Sequence, residues 1–450
     1  MKPLVLLPVV TALLLALPAV ALPPGHSPGR TRSVTERIEP EHLETASADA
    51  ARYEAERVSR DLMRPLHDYR AAVHVHADDS DHTGGTLEEL LDEAKRAEVS
   101  VVMLSDHYRP PRDFMQGWRG LREGVLFIPG CEGKGFLLYP DASVMNRMEE
   151  SKEELIAATN AGTGLIFLSH VERRLDHAMA GLTGMEIYNR HYDAEDDMSV
   201  ILPLSMALTD PRELSEMQAA LDAHHEAFLA CQVDYPSAYI GKWDRETQQR
   251  RLTGVGAIDC HHNQVFVLRM RDAETVLFGT IVDSEEDMRP VPIDVRPGLA
   301  EMVKGHQPGD IVAKLDLDTY YHSFRTMSTH VLATELTEAA VRAALREGHA
   351  YVSFDWMCDP TGFAYQALNH GERVAVMGEE APLAQVTALE AAFPVACKIR
   401  LIHDGRVLKE AESAEFRYVP EAPGVYRIEA WLTIDGEERP WILSNPIYLR

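Results

Sequence analysis

The stretch VHVHADDSDHTGG, residues 73–85, decides the fold. It begins as an apolar, strand-like run in which His74 and His76 are two residues apart, so both imidazoles should point to the same side of one strand. Asp81 follows in the next loop. An ordinary strand and turn needs none of these polar side chains, so the pattern predicts a functional site where the strand ends.

Ligand-type side chains also follow the other apolar strand runs. VSVVMLS is followed by His107, VLFIPG by Glu132, GLIFLS by His170, and GVGA by Asp259 and His261. Strand ends converge at one rim in parallel-strand barrels. Eight nitrogen and oxygen donors at one rim are unfavourable without a cation. A lone histidine after a strand is usually a loop residue or a core group, but the whole set predicts metal ligation.

Helix-like segments separate these strands. In TLEELLDEAKRA, the side chains of Leu87, Leu90, Leu91 and Ala94 share one helical face. SKEELIAATNAG and PRELSEMQAALDAHHEAFLA are also helix-like. Strands that alternate with helices predict an α/β architecture with mostly parallel strands, and apolar strands of this kind fit burial on both faces.

The pattern changes toward the C terminus. LTEAAVRAALREGH predicts a helix that Thr337 caps and Gly348 ends. From about residue 370 the pattern is that of β-strands, with a turn at an Asp-Gly pair. Along GVYRIEAW we expect side chains to alternate, with Tyr426, Ile428 and Ala430 inward and Arg427 and Glu429 outward. These features predict a small C-terminal β-sandwich.

The composition narrows the class of protein. The chain has 450 residues, of which 45% are hydrophobic, which is enough for a large core and more than one domain. Its net charge of -27 argues against nucleic acid and anionic lipid as partners, although metal ions could still attract an anionic small-molecule substrate. Five cysteines without a CxxC pair indicate neither a disulfide scaffold nor a zinc-thiolate site.

The N terminus predicts export to the periplasm or the extracellular space. Lys2, an apolar run and the small-x-small sequence Ala19-Val20-Ala21 form a signal-peptide pattern over residues 1–21. We find no other apolar run long enough to predict a membrane span. We expect a leader with a solvated helix at 22–68, a catalytic domain at 69–368 and the β-sandwich at 369–450. The oligomeric state stays open.

The order and spacing of the polar motifs resemble those of the PHP (polymerase and histidinol phosphatase) metallohydrolases. HVHADDSDH resembles the first family motif, Ser105-Asp106-His107 the T-D-H motif, and Gly130-Cys131-Glu132 the glycine-x-glutamate motif. Ser169-His170 and Asp259-Cys260-His261 resemble the last two. The resemblance covers roughly residues 70–265. It implies a distorted seven-stranded β/α barrel that holds up to three metal ions.

The resemblance also implies a ligand set for each metal. The first metal would take His74, His76, Glu132 and Asp259; the second Glu132 and His170; and the third Asp81, His107 and His261. Two positions depart from the family pattern. His82 replaces the usual glycine after Asp81, and the remaining ligand of the second metal falls on Asn189 or His191.

The donor types suit two or three divalent ions of Mn, Zn or Fe. A hydroxide between two such ions ~3.5–4 Å apart is a nucleophile at neutral pH. We assign the catalytic roles to Glu132, Asp259 and His261. Arginines on the strand-end loops could clamp a phosphate, although an arginine at such a position is more often a surface residue on a loop: Arg109, Arg173 and Arg190.

Three functions remain open. A secreted PHP-type phosphoesterase is the leading hypothesis, because phosphoester hydrolysis is what the family resemblance implies. The stretches YYHSFRTMSTH at 320–330 and GHAYVSFDW at 348–356 resemble an exported branch that includes carbaryl-hydrolase-like enzymes, so hydrolysis of a carbamate, ester or amide is the alternative. A non-catalytic binding protein is the third, and its metal content would distinguish it.

Overall fold

A computed structural model describes residues 29–58, 60–78, 80, 82–196 and 198–450. The predicted signal peptide at 1–21 and the predicted ligand Asp81 lie outside these residues. The α-helices are α1 (Val34–Arg37), α2 (Pro40–Glu56), α3 (Leu87–Arg96), α4 (Lys152–Thr159), α5 (Arg190–Asp196), α6 (Ile201–Leu208), α7 (Pro211–Leu229), α8 (Ser237–Thr247), α9 (Pro297–Met302), α10 (Tyr320–Thr326) and α11 (Glu338–Glu347). None of these described helices is both long and apolar enough to cross a membrane.

The strands of the first half are β1 (His67–Val75), β2 (Val101–Leu104), β3 (Gly120–Arg122), β4 (Val125–Ile128), β5 (Cys131–Gly133), β6 (Phe136–Tyr139), β7 (Leu165–Leu168), β8 (Gly184–Asn189) and β9 (Thr253–Ala257). Those of the insertion that follows are β10 (Val265–Met270), β11 (Thr275–Thr280), β12 (Arg289–Pro292) and β13 (Ile311–Asp316).

The strands of the C-terminal part are β14 (Ser328–Ala333), β15 (Ala350–Ser353), β16 (Ala364–Asn369), β17 (Glu372–Val376), β18 (Glu380–Ala381), β19 (Ala388–His403), β20 (Arg406–Tyr418), β21 (Gly424–Ile434), β22 (Glu437–Ser444) and β23 (Ile447–Leu449).

Two of the predicted helices begin and end as their sequences indicate. Thr86 caps α3 in a capping box with Glu89, and the predicted face of α3 is buried, as expected for a helix that packs against the sheet. Thr337 caps α11, and Gly348 ends it in the left-handed conformation, where a side chain would be strained. Both predicted helices are therefore confirmed.

The described strands form three sheets in a mixed α/β fold. A 14-stranded sheet has the order β17-β16-β19-β21-β22-β15-β14-β1-β2-β4-β3, with β18, β20 and β23 off this path. A five-stranded sheet has the order β5-β6-β7-β8-β9, and β10–β13 form the third sheet. Among the described strands, parallel ladders are limited to β1-β2-β4, β7-β8-β9 and β18-β23, so the expectation of mostly parallel strands holds only near the predicted site.

No closed barrel is formed by the described strand ladders, so the seven-stranded barrel stays a prediction. Two isolated parallel bridges nevertheless join the large sheet to the five-stranded sheet, Val75 to Cys260 and His107 to Glu132. Beneath them, one buried cluster takes apolar side chains from both sheets, including Val73, Met103, Leu137, Phe167 and Val255. The ends of β1, β2 and β9 and the start of β5 therefore meet above a shared core.

The C-terminal part is rich in β-strands, as predicted, but its sheet is continuous with that of β1. β22 pairs with β15, and β15 pairs with β14, which lies beside β1. The predicted boundary at 368 and 369 falls within β16. The division into separate domains stays a prediction.

Arg427 and Glu429 are predicted to point outward, and the exposure to solvent that this implies is wrong, because both side chains are buried. Arg427 pairs with Asp244 of α8 at 2.7 Å and with Glu429 at 2.6 Å. The hydroxyl of Tyr235 also donates to Glu429 at 2.6 Å. The polar face of β21 is thus covered by α8 and its neighbouring segment, and paired charges replace contact with water.

Candidate metal centre

The described members of the predicted ligand set converge on the carboxylate of Glu132. Its Oε2 lies 3.4 Å from Nε2 of His74, 3.4 Å from Nε2 of His107 and 3.9 Å from Nε2 of His76. Its Oε1 lies 3.3 Å from Nε2 of His170. One carboxylate therefore faces histidines on two sides.

Asp259 is the second carboxylate that contacts these histidines. Its Oδ1 lies 3.3 Å from Nε2 of His74, 3.4 Å from Nε2 of His76 and 3.6 Å from Nδ1 of His261. Its Oδ2 lies 3.5 Å from Nε2 of His170. The ring of His261 also stacks on that of His76, with centroids 4.0 Å apart. The pair His74 and His76 therefore contacts the pair Asp259 and His261, as the matching spacing of the two pairs in the sequence suggested.

Three overlapping groups could each hold an ion, with ligand atoms within 4.8 Å of one another. They are His74, His76 and Glu132; His74, His170 and Asp259; and His76, His107 and His261. The first contains three of the four ligands predicted for the first metal and lacks Asp259. The third contains His107 and His261, as predicted for the third metal, together with His76, which was not predicted there; Asp81 lies outside the described residues. The second contains His170, as predicted for the second metal, but not Glu132.

Backbone strain accompanies three of these side chains. His74, His170 and Asp259 have φ values of 64°, 43° and 53°, in the left-handed region that non-glycine residues rarely occupy. The register of β1 against β2 shifts between Val73 and Val75, so His74 lies in a β-bulge. Both β1 histidines reach one Asp259 oxygen, but the bulge, and not simple alternation, sets the direction of His74.

Glu186, which the sequence analysis did not identify, orients two of the histidines. It is fully buried in β8, and its Oε1 accepts a hydrogen bond from Nδ1 of His74 at 2.7 Å. Its Oε2 accepts from the backbone N–H of His170 at 2.8 Å. The bond to Nδ1 directs Nε2 of His74 at the cluster, which is the usual role of a carboxylate behind a metal-binding histidine. An acid inside an otherwise apolar strand was the available signal.

Hydroxyl and carboxylate groups orient the remaining rings. The hydroxyl of Ser80 lies 3.1 Å from Nδ1 of His76 and 2.8 Å from Nδ1 of His107. Glu172 lies 3.3 Å from Nδ1 of His170. Each contact engages Nδ1 and leaves Nε2 directed at Glu132 or Asp259.

Asn189 and His191, the two candidates for the remaining ligand, have different surroundings. The amide of Asn189 donates to Oδ2 of Asp259 at 3.3 Å and to Oε2 of Glu186 at 3.2 Å, and its oxygen accepts from the backbone N–H of Tyr192 at 3.1 Å. In this arrangement Asn189 positions the carboxylates. The ring of His191 lies 6.1 Å from that of His261, at the edge of the cluster.

The three candidate phosphate-binding arginines occupy different environments. Arg109 is exposed. The side chain of Arg173 is 60% exposed and lies 3.5 Å from Glu172, the partner of His170. Arg190 is buried, and its charge counteracts the effect of burial on the pKa of the Asp318 carboxyl. Arg173 thus lies beside Glu172, which contacts the histidine cluster through His170.

Charge on the cluster is shared between imidazoles and carboxylates. Burial opposes the ionisation of Glu132, but the charge of His74 and the hydrogen bonds from the histidines outweigh it and hold its pKa well below the ordinary value. Burial also opposes the charging of His170, yet Glu132 and Glu172 raise its pKa to about 10. Burial lowers the pKa of His76 to about 4.

These residues fit a divalent metal. The Nε2 atoms of His74 and His76 are buried and make no hydrogen bond within the described structure, which is costly for buried ring nitrogens that have no ligand. Nitrogen and carboxylate donors suit Mn, Zn or Fe. Cys131 and Cys260 are fully buried, and burial raises the pKa of both thiols, so neither is suited to act as a thiolate ligand.

No protein-family model matches this chain, and a search of curated proteins finds no match. Among solved structures, the chain is similar to a two-domain protein from Bacteroides vulgatus that contains a predicted PHP-like metal-dependent phosphoesterase, at a TM-score of 0.36 and 12% sequence identity. That similarity covers 86% of this chain and 98% of the other. A metal site is therefore inferred from the geometry of this chain's own side chains.

Proposed function

We propose that this protein is a metal-dependent hydrolase of the PHP type that cleaves a phosphoester. The observation that carries the proposal is the position of Glu132, whose Oε2 faces His74 and His107 while its Oε1 faces His170. A carboxylate placed between two histidine groups is suited to hold two cations close together. We also propose that the two sheets beneath it form a distorted seven-stranded barrel.

The chain's own residues would hold and orient the ions and the substrate. His74, His76, His107, His170, His261, Glu132 and Asp259 supply the ligand atoms, while Glu186, Ser80 and Glu172 keep the imidazoles in place. Divalent ions bound there would acidify water and withdraw charge from the oxygens of the scissile group. Arg173, beside Glu172, is positioned to contact an anionic group that enters from solvent.

The site opens on one side. The side chain of His107 is 31% exposed, whereas those of His74 and His76 are fully buried. A substrate would therefore approach from the His107 side, with the buried histidines behind the reacting group. Because His74 and His76 are buried, water does not compete for their ligand atoms, and electrostatic contacts around them are stronger than at the surface.

Hydrolysis of a carbamate, carboxyl ester or amide is the second candidate. The exposure of Arg109 and of Arg173 favours it, because water screens an exposed arginine and weakens its contact with a phosphate. The same ligand set could act on an uncharged carbonyl. The two candidates differ in the substrate and share the metal centre.

We further propose that the protein is exported. The support is Lys2 followed by an apolar run and Ala19-Val20-Ala21. N-terminal sequencing of the natural protein should find Leu22 at or near the first position. A natural protein that retains Met1 would contradict export.

The function is tested with a panel of substrates. The metal-loaded protein is given a phosphomonoester, a phosphodiester, a carboxyl ester and a carbamate, with added Mn or Zn. We expect turnover of a phosphoester and loss of turnover in His74→Ala and Asp259→Ala. Turnover of the carbamate or carboxyl ester alone would support the second candidate. A metal-loaded protein that cleaves none of the four would contradict a hydrolase on this panel, and a metal-free purified protein that takes up no added ion would favour the binding protein.

A further inference from the structure

A cavity of about 260 Å³ adjoins the candidate metal centre. His191 lines it, and the His191 ring lies 6.1 Å from that of His261. Gln264, three residues after His261 in the chain, also lines it. The His191 side of the cavity therefore lies against the His261 edge of the metal centre.

The rest of the described lining is apolar except for Gln232. Its walls come from α6, from the end of α7 and from the insertion that contains β10, and they include Leu204, Phe228, Phe266 and Leu317. These four side chains are buried. Among the lining residues whose side chains the structure describes there is no Lys, Arg, Asp or Glu. A charged group placed there would lose its hydration without a charged partner.

We propose that this cavity binds an apolar group of the substrate, so that the metal centre acts on an ester of an aromatic or bulky aliphatic alcohol. The inference rests on the proposed function, because the polar reacting group would lie at the metal ligands while its apolar part enters the cavity past His191. A nucleotide or sugar phosphate would place hydroxyl and phosphate groups against Leu204 and Phe228, which is unfavourable. An aryl group gains free energy from the same surfaces.

Variants of α6 test the cavity with a matched control. Ile201 is partly buried in the wall, so Ile201→Trp places a large ring in the cavity without replacing a fully buried side chain. Met206 lies on the same helix, is 45% exposed and does not line the cavity. Met206→Trp therefore makes the same type of change outside the cavity. Circular dichroism and elemental analysis check that both variants fold and keep wild-type metal content.

Phenyl phosphate and 2-naphthyl phosphate have leaving groups of similar acidity, so a difference between them reports apolar contact more than chemistry. We expect wild type to prefer the naphthyl ester in kcat/KM, and Ile201→Trp to lower that preference about tenfold, mainly through KM. Met206→Trp should behave as wild type. Equal kcat/KM values for the two esters, unchanged by Ile201→Trp, would overturn the cavity proposal while the hydrolase function stands.

A binding measurement separates the two proposals. Fluorescence titration of the metal-free protein with 2-naphthol, which has no scissile bond, should show saturable binding that Ile201→Trp weakens about tenfold and Met206→Trp leaves unchanged. If no ester is hydrolysed but this pattern is found, the proposed function fails and the aryl-binding cavity stands. If 2-naphthol binds equally to all three proteins, or to none, the cavity proposal is overturned.

Discussion

Glu186 accepts a hydrogen bond from Nδ1 of His74 at 2.7 Å, and both side chains are fully buried. The two residues are 112 positions apart in the chain, on β8 and β1. This contact fixes the imidazole so that Nε2 points at Glu132 and Asp259. The metal centre therefore depends on an acid that would not touch the metal.

Glu186→Gln should weaken metal binding while the fold persists. The amide can still accept from His74, but it lacks the charge that makes the imidazole a stronger ligand and offsets the charge of a bound cation, so we expect the Kd for Mn or Zn to rise about 10- to 100-fold. Competition with a chelator of known affinity measures the change.

Glu437→Gln is the control for a buried carboxylate outside the site. Glu437 pairs with Arg37 at 2.8 Å, and its loss should lower the free energy of unfolding by about 3 kcal/mol or more without altering metal affinity. If Glu186→Gln and Glu437→Gln had the same small effect on metal affinity, the positioning role of Glu186 would be wrong.

Metal binding should release protons at pH 7. In the metal-free protein, burial opposes charge on His74, but Asp259, Glu132 and Glu186 raise its pKa well above the ordinary value, and the pKa of His170 is raised to about 10. Both imidazoles therefore carry protons at pH 7 and must lose them to ligate a metal. Affinity should rise as the pH increases toward about 10.

Titration calorimetry measures this linkage. The observed enthalpy is recorded in two buffers with different ionisation enthalpies, and its slope gives the number of protons released. We expect release of about two protons, one each from His74 and His170. His170→Ala should lower the number by about one. Proton uptake, or binding enthalpies independent of the buffer, would contradict the charge distribution described here.

The strained backbone at His74 predicts an unusual order of stability. Because φ is 64° at this position, His74→Gly should be more stable than His74→Ala by about 1 kcal/mol in the metal-free protein. His76 is the control, since it is not among the positive-φ residues. There His76→Ala should be more stable than His76→Gly by about 0.5–1 kcal/mol. Urea unfolding measures the free energy of unfolding of all four variants. If alanine were more stable than glycine at both positions, the bulge at His74 would carry no strain.

Much of the site was predictable because its ligands lie at the ends of strands. His107, His170 and Asp259 follow apolar runs, and strand ends that lie side by side bring such residues together whatever their separation in the chain. Glu186 was not predicted, because an acid within GMEIYN does not end a strand. Its role depends on β8 facing β1 across the cluster, and no local pattern contains that information.

The sheet pairing was less predictable than the strands themselves. Lys134 and Gly135 both have positive φ, and this tight turn makes β5 and β6 an antiparallel hairpin that carries Glu132. Arg427 and Glu429 alternate as outward residues should, but α8 covers them. Periodicity indicates which side chains share a face, and tertiary packing decides whether that face meets water.

The metal content of Glu132→Gln tests the central claim most directly. Elemental analysis after gel filtration would compare it with wild type and with His107→Ala, with circular dichroism to verify folding. We expect two or three ions in wild type and the loss of at least one in Glu132→Gln, because its neutral amide no longer offsets the charge of two neighbouring cations. His107→Ala should retain more metal than Glu132→Gln, since His107 faces one oxygen of Glu132, whereas Glu132 faces histidines with both of its oxygens. A folded Glu132→Gln protein with wild-type metal content and full turnover would contradict the account.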